Sequence, residues 1–166
     1  MKTRMISVGA LAASLLFSGN AAALDTVPVL SLDIAKRMAA SCEAMSAAEG
    51  WRMNIAIVDR GANLIVFRRM DNAFLISVDI AIGKARTSAR LPFPTRVVAE
   101  LAYGKDGNPA PLPGIAEVDG VIAFAGGLPI MVGDAHVGGI GVSGGTADQD
   151  EVCARAALDA VADDLN

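Results

Sequence analysis

The stretch Gly126–Gly145, with the sequence GGLPIMVGDAHVGGIGVSGG, decides the fold class because short apolar runs alternate in it with glycine-containing turns. Gly126-Gly127 is a two-residue hairpin signal, and Gly133–His136 supplies the next turn. Apolar and β-branched runs bounded by such turns are typical of strands. Three strands are therefore predicted, at Val121–Ala125, Leu128–Val132 and Val137–Val142. Because their connections are so short, these strands must pair antiparallel.

Helices and a further hairpin surround this stretch. A helix is predicted between the N-cap Ser31 and Gly50, and Thr146–Gln149 has the T-x-x-Q pattern of a capping box. The other predicted elements are strands Trp51–Val58 and Leu64–Arg69, helices Phe74–Ala89 and Thr95–Tyr103, and a last helix to about Leu165. In the second helix the predicted buried stripe is Leu75, Val78, Ile82, Ala85 and Ala89. This order predicts an α+β fold with a five-stranded antiparallel sheet flanked by helices.

The first 23 residues have the pattern of a secretory signal peptide. Lys2 and Arg4 precede an uncharged apolar run, and Ala21-Ala22-Ala23 provides small residues for cleavage. The apolar run is too short to span a membrane, which takes about 20 residues. We therefore expect residues 1–23 to be removed and residues 24–166 to form a single domain. The mature protein is expected in the periplasm or outside the cell, without a membrane anchor.

Composition excludes several classes of function. Hydrophobic residues make up 53% of the 166-residue chain and charged residues 19%, which is unlike a disordered polyelectrolyte. The net charge of −4 becomes more negative when the two basic residues of the signal peptide are lost, which argues against a nucleic-acid partner. One histidine and two distant cysteines match no zinc-ligand spacing, and no complete glycine-rich nucleotide motif is present.

Candidate site residues are few. Arg68-Arg69-Met70-Asp71 ends a strand, and alternation points the two arginines to opposite faces. Lys84 lies on the following helix and could join an arginine in binding a carboxylate or phosphate, although a solvated basic helix face explains the same pattern. Cys42 and Cys153 fall on buried helix stripes, so they could form a disulfide or remain buried free thiols. His136 beside a turn is either a ligand or a solvated residue.

Five segments of the chain, in this order and spacing, resemble the GlcG/HbpS-like heme-binding family. They are Ile57–Gly61, Phe67–Asp71, Ile80–Ala85, Gly126–Ile130 and Gly139–Gly145. The resemblance implies a profilin-like fold with a five-stranded sheet, assembly into homo-oligomers, and heme binding by some members. It also implies a ligand-binding set of Arg68, Arg69, Met70, Asp71, Lys84, Gly126 and Gly127.

Two functions follow as expectations. The first is an exported heme- or tetrapyrrole-binding protein, involved in heme handling or redox stress, in which the arginines and Lys84 hold the propionates. His136, Tyr103 or Met70 would then be the axial donor to the iron. The alternative is a small-molecule enzyme, or an accessory protein, acting on a hydroxy acid or similar small anion. In that case Lys84 or Asp71 would polarise or deprotonate the substrate beside Arg69.

Overall fold

A computed structural model describes residues 26–165, and the predicted signal peptide lies outside them. The helices are α1 (Leu32–Ala48), α2 (Ile76–Arg90), α3 (Thr95–Tyr103) and α4 (Ala147–Asp159), and the strands are β1 (Asn54–Asp59), β2 (Leu64–Arg69), β3 (Gly127–Val132) and β4 (Ala135–Ser143). Short 3₁₀ turns occur at Pro113–Glu117 and Ala162–Asp164. None of the helices in the described part combines the length and the apolar character needed to cross a membrane.

The four strands form one antiparallel sheet in the order β2-β1-β4-β3, which confirms the α+β class. The prediction of a fifth strand at Val121–Ala125 is wrong. This segment instead lies across α2, where the Ile122 N–H donates to the Thr87 hydroxyl at 2.9 Å. Ala123 packs with Val98 in a small separate core, so this residue of the segment is buried without strand pairing. Gly126 and Gly127 do not form a hairpin turn, because Gly127 already begins β3.

Helices cover both faces of the sheet. On one face, α1 and α4 pack on alternate large side chains of the central strands, Ile55 and Ile57 from β1 with Ile140 and Val142 from β4. On the other face, α2 contacts Ala56 and Val58 through a row of its own alanines, Ala81, Ala85 and Ala89. The first face therefore holds the large apolar core, and the second is a thin interface of small residues.

The backbone of α2 lies directly on β4. A Cβ atom built on Gly139 or Gly141 would come closer than 3.0 Å to backbone atoms of Ala81, Ala85 or Ala89, a separation that real Cβ atoms do not show. Only glycine fits there. The stripe predicted for α2 is therefore partly wrong: Ala85 and Ala89 are buried, but Leu75 is 73% exposed and the buried set includes Ser77, Lys84 and Ser88. Side-chain size, not hydrophobicity alone, selects the buried face of this helix.

The capping box is present where the sequence predicts it. The Thr146 hydroxyl accepts the Gln149 N–H at 3.2 Å, and the Gln149 side chain accepts the Thr146 N–H at 2.8 Å. The helix that follows ends at Asp159 and not near Leu165. Val161, which is buried in the large core, directs the chain away from the helix axis into the 3₁₀ turn.

A disulfide between Cys42 and Cys153 joins α1 to α4, with their Cα atoms 4.9 Å apart. Both residues are fully buried. The Ser46 hydroxyl lies 2.9 Å from the Cys153 Sγ and can donate to it. The bond therefore closes a loop of 111 residues between the two helices that cover the large core.

Replacement of Gly141 by alanine should destabilise the protein by at least about 3 kcal/mol, because the added methyl group meets the α2 backbone. Chemical denaturation followed by circular dichroism measures the change. The matched control is Gly114→Ala, whose Cβ meets nothing within 4 Å and which should stay within about 0.5 kcal/mol of wild type. Equal stability of the Gly141→Ala variant would contradict this packing.

Loss of the disulfide in a Cys42→Ala/Cys153→Ala variant should lower the free energy of unfolding by about 2 to 5 kcal/mol. The physical reason is that the closed loop restricts the unfolded chain. Thermal unfolding of the variant and of wild type, with and without a reductant, provides the measurement. A reductant that shifts the melting temperature of the variant as much as that of wild type would show that the effect does not come from this bond.

Candidate functional site

A cleft of about 560 Å³ opens where β2 ends, and we call it the Arg69 cleft. Its lining residues come from α1, from the segment before β1, from the last residue of β2 and from the segment that follows it: Glu43, Ala47, Arg52, Arg69, Met70, Asp71 and Asn72. Three of the four residues of the predicted segment Arg68–Asp71 therefore line one cavity. The fourth, Arg68, points to the α1 face and forms an ion pair with Glu43, as the strand alternation predicts.

Two arginines of this cleft have no carboxylate partner within the described part of the chain. Arg52 donates only to the neighbouring Trp51 carbonyl, at 3.0 Å, and Arg69 forms no ion pair. Both guanidinium groups keep most of their donors free for an anionic ligand. Asp71 is exposed on the same wall, so the cleft carries both signs of charge.

Three consecutive apolar side chains are exposed beside the cleft, and we call them the apolar patch. Phe74, Leu75 and Ile76 expose 67%, 73% and 66% of their surfaces. The Asn54 side-chain amide donates to the Phe74 carbonyl at 3.1 Å, and Asn54 is the cross-strand partner of Arg69. Asn54 therefore links the backbone at the start of the patch to the strand pair that carries Arg69. Exposed apolar runs of this kind mark binding surfaces.

Met70 forms the inner edge of the cleft. Its N–H donates to the Met53 carbonyl at 3.0 Å, and its Sδ accepts the Met53 N–H at 3.3 Å. The side chain also packs against the large core. Met70 is therefore held as part of the scaffold, with its sulfur already engaged.

Lys84 does not line the Arg69 cleft, although the sequence suggested that it could join an arginine in binding an anion. Its side chain is completely buried under α2, and its Nζ donates to the Asp150 Oδ2 at 2.7 Å and to the Val142 carbonyl at 2.9 Å. The Phe124 ring covers the ammonium with its centroid 4.5 Å from Nζ. Gly126 lies against this pair, since a Cβ there would be 2.7 Å from the Lys84 Nζ. Gly127 follows and packs on the Lys84 backbone.

Burial dominates the charge state of this pair. Desolvation lowers the pKa of Lys84 and raises the pKa of Asp150, while the attraction between the two groups opposes both changes. The Gly145 N–H donates to the Asp150 Oδ1 at 3.0 Å and also favours the carboxylate. The pair joins the middle of α2 to the first turn of α4. Because the Lys84 ammonium is already paired with Asp150, it is not free to bind an external anion.

His136 and Tyr103 lie away from the cleft. His136 is near the start of β4, whereas Ser143 at the end of β4 pairs with Asn54 beside Arg69. His136 and Ser143 are seven residues apart along β4, which corresponds to about 23 Å. The His136 Nε2 is buried without a hydrogen-bond partner among residues 26–165. Tyr103 ends α3 with 69% of its surface exposed and does not line the cleft.

Several of these features could not be foreseen from the sequence. Arg52 stands alone between Trp51 and Met53 and carries no motif. Asp150 follows the capping box, where an acidic residue is expected merely for its interaction with the helix dipole. Leu75 fits an apolar helix stripe and was predicted to be buried. An available signal was the run Phe74-Leu75-Ile76, because three adjacent apolar residues cannot all face the core from one helix.

A family model described as "Haem degrading protein HbpS-like" matches residues 30–159. The chain belongs to the HbpS-like family. This confirms the resemblance seen in the five sequence segments. Among the curated HbpS-like relatives, a 15.0 kDa protein of Citrobacter freundii is 33% identical over 80% of this chain and 92% of its own length. Protein GlcG of Escherichia coli K12 is 30% identical over 72% of this chain and 85% of its own.

Solved structures show the same HbpS-like architecture. A crystal structure of HbpS superposes with a TM-score of 0.75 and 31% identity, covering 82% of this chain and 92% of that one. A crystal structure of a PduOC:heme complex superposes with a TM-score of 0.72 over 80% of this chain and 95% of that one. At 24% identity the second likeness shows the fold alone.

Removal of one partner of the buried Lys84–Asp150 pair should lower the free energy of unfolding. A Lys84→Met variant leaves an unpaired buried carboxylate and should lose about 3 to 5 kcal/mol of stability. The double variant Lys84→Met/Asp150→Leu removes both charges and should recover at least half of that loss. Urea denaturation of Lys84→Met, of Asp150→Leu and of the double variant completes the cycle. Additive losses in the double variant would show that the two groups do not interact.

Proposed function

We propose that this HbpS-like chain is a heme- or tetrapyrrole-binding protein whose ligand occupies the Arg69 cleft and the apolar patch. The observation that carries the proposal is the hydrogen bond from the Asn54 amide to the Phe74 carbonyl, because Asn54 is the cross-strand partner of Arg69 and the bond holds the segment that carries the patch near it. A tetrapyrrole with acidic side groups offers the complementary surfaces, a broad apolar ring and carboxylates at its edge. The description of the family as heme-degrading supports the same ligand class.

The described residues fit the ring and its carboxylates better than they fit the iron. Arg52 and Arg69 can bind two carboxylates, and the patch can cover one face of the ring. The donors that the sequence suggested for the iron do not converge on this place: the Met70 sulfur is engaged, and His136 lies at the other end of the sheet. Among residues 26–165 no three His, Cys, Asp or Glu side chains form a metal site. We therefore assign no axial bond.

Export and assembly complete the proposal. The signal-peptide pattern of residues 1–23 supports secretion to the periplasm or beyond, and a disulfide between Cys42 and Cys153 suits an oxidising compartment. A homo-oligomer is expected from the family resemblance, and the apolar patch is a surface that assembly could also cover. In such a compartment the protein would take part in heme handling or in the response to redox stress.

A second candidate is supported by the polar walls of the Arg69 cleft. Arg52 and Arg69 could bind a hydroxy acid or another small anion, with Asp71 beside them as a base. Lys84 takes no part in this version, because it is buried and paired with Asp150. Mass spectrometry of a ligand that co-purifies with the protein distinguishes the two candidates: a tetrapyrrole favours the first and an organic acid favours the second.

Titration of hemin into the purified protein should produce a Soret shift with defined stoichiometry. Arg69→Ala should weaken binding by about tenfold or more, because a charge-assisted hydrogen bond to a carboxylate is lost. His136→Ala should leave the affinity unchanged, since His136 lies far from the cleft. Arg60→Ala is the matched control for charge, because Arg60 is an exposed arginine in the β1–β2 turn.

The same titration can contradict the proposal in two ways. No Soret shift with wild type would remove heme as the ligand. A shift that Arg69→Ala leaves unchanged, while His136→Ala abolishes it, would move the ligand to the other end of the sheet.

A further inference from the structure

β3 is an edge strand, and part of its outer side is unpaired. The Val142 N–H donates to the Gly126 carbonyl at 2.9 Å, so the backbone groups of even-numbered residues in this strand point toward β4. Those of the odd-numbered residues therefore point outward. Gly127 has a partner on the outer side, because its N–H donates to the Thr95 hydroxyl at 2.8 Å.

The outward backbone groups of Pro129 and Met131 are free, since no other element of residues 26–165 bonds to them. They comprise two carbonyl acceptors and one donor, the Met131 N–H, because proline has none. A groove of about 430 Å³ runs beside them, with apolar walls that include Leu128, Leu158 and Leu165. An extended segment would find there both backbone groups to pair with and room to lie in.

The chain itself carries such a segment in residues 26–30, which we call the arm. The arm precedes α1 and makes no hydrogen bond to another residue of 26–165. Val27 and Val29 expose 52% and 81% of their surfaces, although both are apolar. Pro28 restricts the preceding Val27 to an extended conformation. Cleavage after Ala23, as the sequence predicts, leaves two residues ahead of the arm, so the arm is a free end that can enter a groove.

We propose that the arm of one copy of this protein pairs with the free edge of β3 in a second copy, and that the exchange is reciprocal. Antiparallel pairing, as throughout this sheet, places Val27 opposite Met131 and Val29 opposite Pro129. Val27 and Met131 then exchange two backbone hydrogen bonds, and the Val29 N–H donates to the Pro129 carbonyl. Pro28 lies where an N–H would point away from the edge, so neither proline leaves a donor missing.

The base of the arm lies near one end of the same groove, which makes a reciprocal exchange short. Arg37, in the second turn of α1, donates to Asp164 at 2.8 Å. The next residue, Leu165, lines the groove, and its carbonyl accepts the Gly133 N–H at 3.1 Å. Two copies related by a twofold axis can therefore each place an arm in the groove of the other.

The occupant is a second copy because the arm does not fill the groove of its own chain, where its valines stay exposed. The proposal rests on one part of the proposed function, the homo-oligomer, and gives it a surface. It uses no residue of the Arg69 cleft or of the apolar patch.

Disulfide trapping between two variants that each carry one added cysteine tests the proposal. Val27→Cys and Met131→Cys chains are co-expressed, purified and oxidised with copper phenanthroline, and covalent dimers are measured on a non-reducing gel. Paired residues have Cα atoms about 5.5 Å apart, within the range that a disulfide spans. The pair should give at least about fivefold more covalent dimer than either variant alone. The native Cys42–Cys153 bond is fully buried and takes no part.

Two controls test the edge and the register. Leu64→Cys replaces Met131→Cys in the first, because Leu64 is an apolar residue with 45% exposure on the opposite edge strand β2, and no dimer above background is expected. In the second, Val29→Pro is added to the Val27→Cys chain and removes the N–H that bonds to Pro129. The yield of dimer should fall by about fivefold at limiting protein concentration, whereas Val29→Thr, which keeps the N–H, should leave it unchanged.

Each part of the proposal has an outcome that overturns it. A yield equal to that of the Leu64→Cys control would remove the exchange, and an unchanged yield with Val29→Pro would remove the register. In a chain with both Val27→Cys and Met131→Cys, a disulfide within one chain in place of dimers would remove the second copy as the occupant. Hemin binding should be the same in Val29→Pro as in wild type, so failure here is distinct from failure of the tetrapyrrole site.

Discussion

The backbone of α2 rests on the backbone of β4 because Gly139 and Gly141 present no side chain and Ala81 and Ala85 present only methyl groups. This close approach brings the middle of α2 within reach of the sheet interior. The Lys84 amine can then bond to the Val142 carbonyl and to Asp150 at the start of α4. A thicker interface would lift Lys84 from both partners. The ion pair, the position of α4 and the cover formed by Phe124 all depend on these glycines.

The candidate functional side chains lie at separate positions around this interface. Lys84 and Asp150 are enclosed between α2, β4 and α4, whereas Arg69 and the apolar patch lie at the outer end of β1 and β2. His136 is at the opposite end of β4. The arginines, Lys84 and His136, which the sequence suggested as parts of one ligand site, therefore do not form one pocket. At the exposed end of the sheet, Arg52 and Arg69 form no ion pair with any other residue of 26–165, whereas the enclosed Lys84–Asp150 pair joins α2 to α4 out of contact with water.

Local signals in the sequence were sufficient for most elements. The capping box at Thr146–Gln149 and the hairpin around Gly61 depend on neighbouring residues only, and both are predicted correctly. The conformation of Val121–Ala125 is determined by tertiary contacts, because this segment packs on α2 and α3 instead of pairing with a strand. The burial of Lys84 is also tertiary, because its partner lies 66 residues away and carries no motif. Alternation along β2 placed Arg68 and Arg69 on opposite faces, but nothing local placed Arg52 beside them.

The most direct test of a ligand site at the Arg69 end is an NMR titration of the ¹⁵N-labelled protein with protoporphyrin IX, which contains no iron and causes no paramagnetic broadening. The amide shifts should change at Arg52, at residues 69–76 and at their contacts in β1, and should stay constant around His136. Because no axial bond is assigned, the metal-free ring should suffice for binding. Changes centred on His136, or none at saturating porphyrin, would contradict the account.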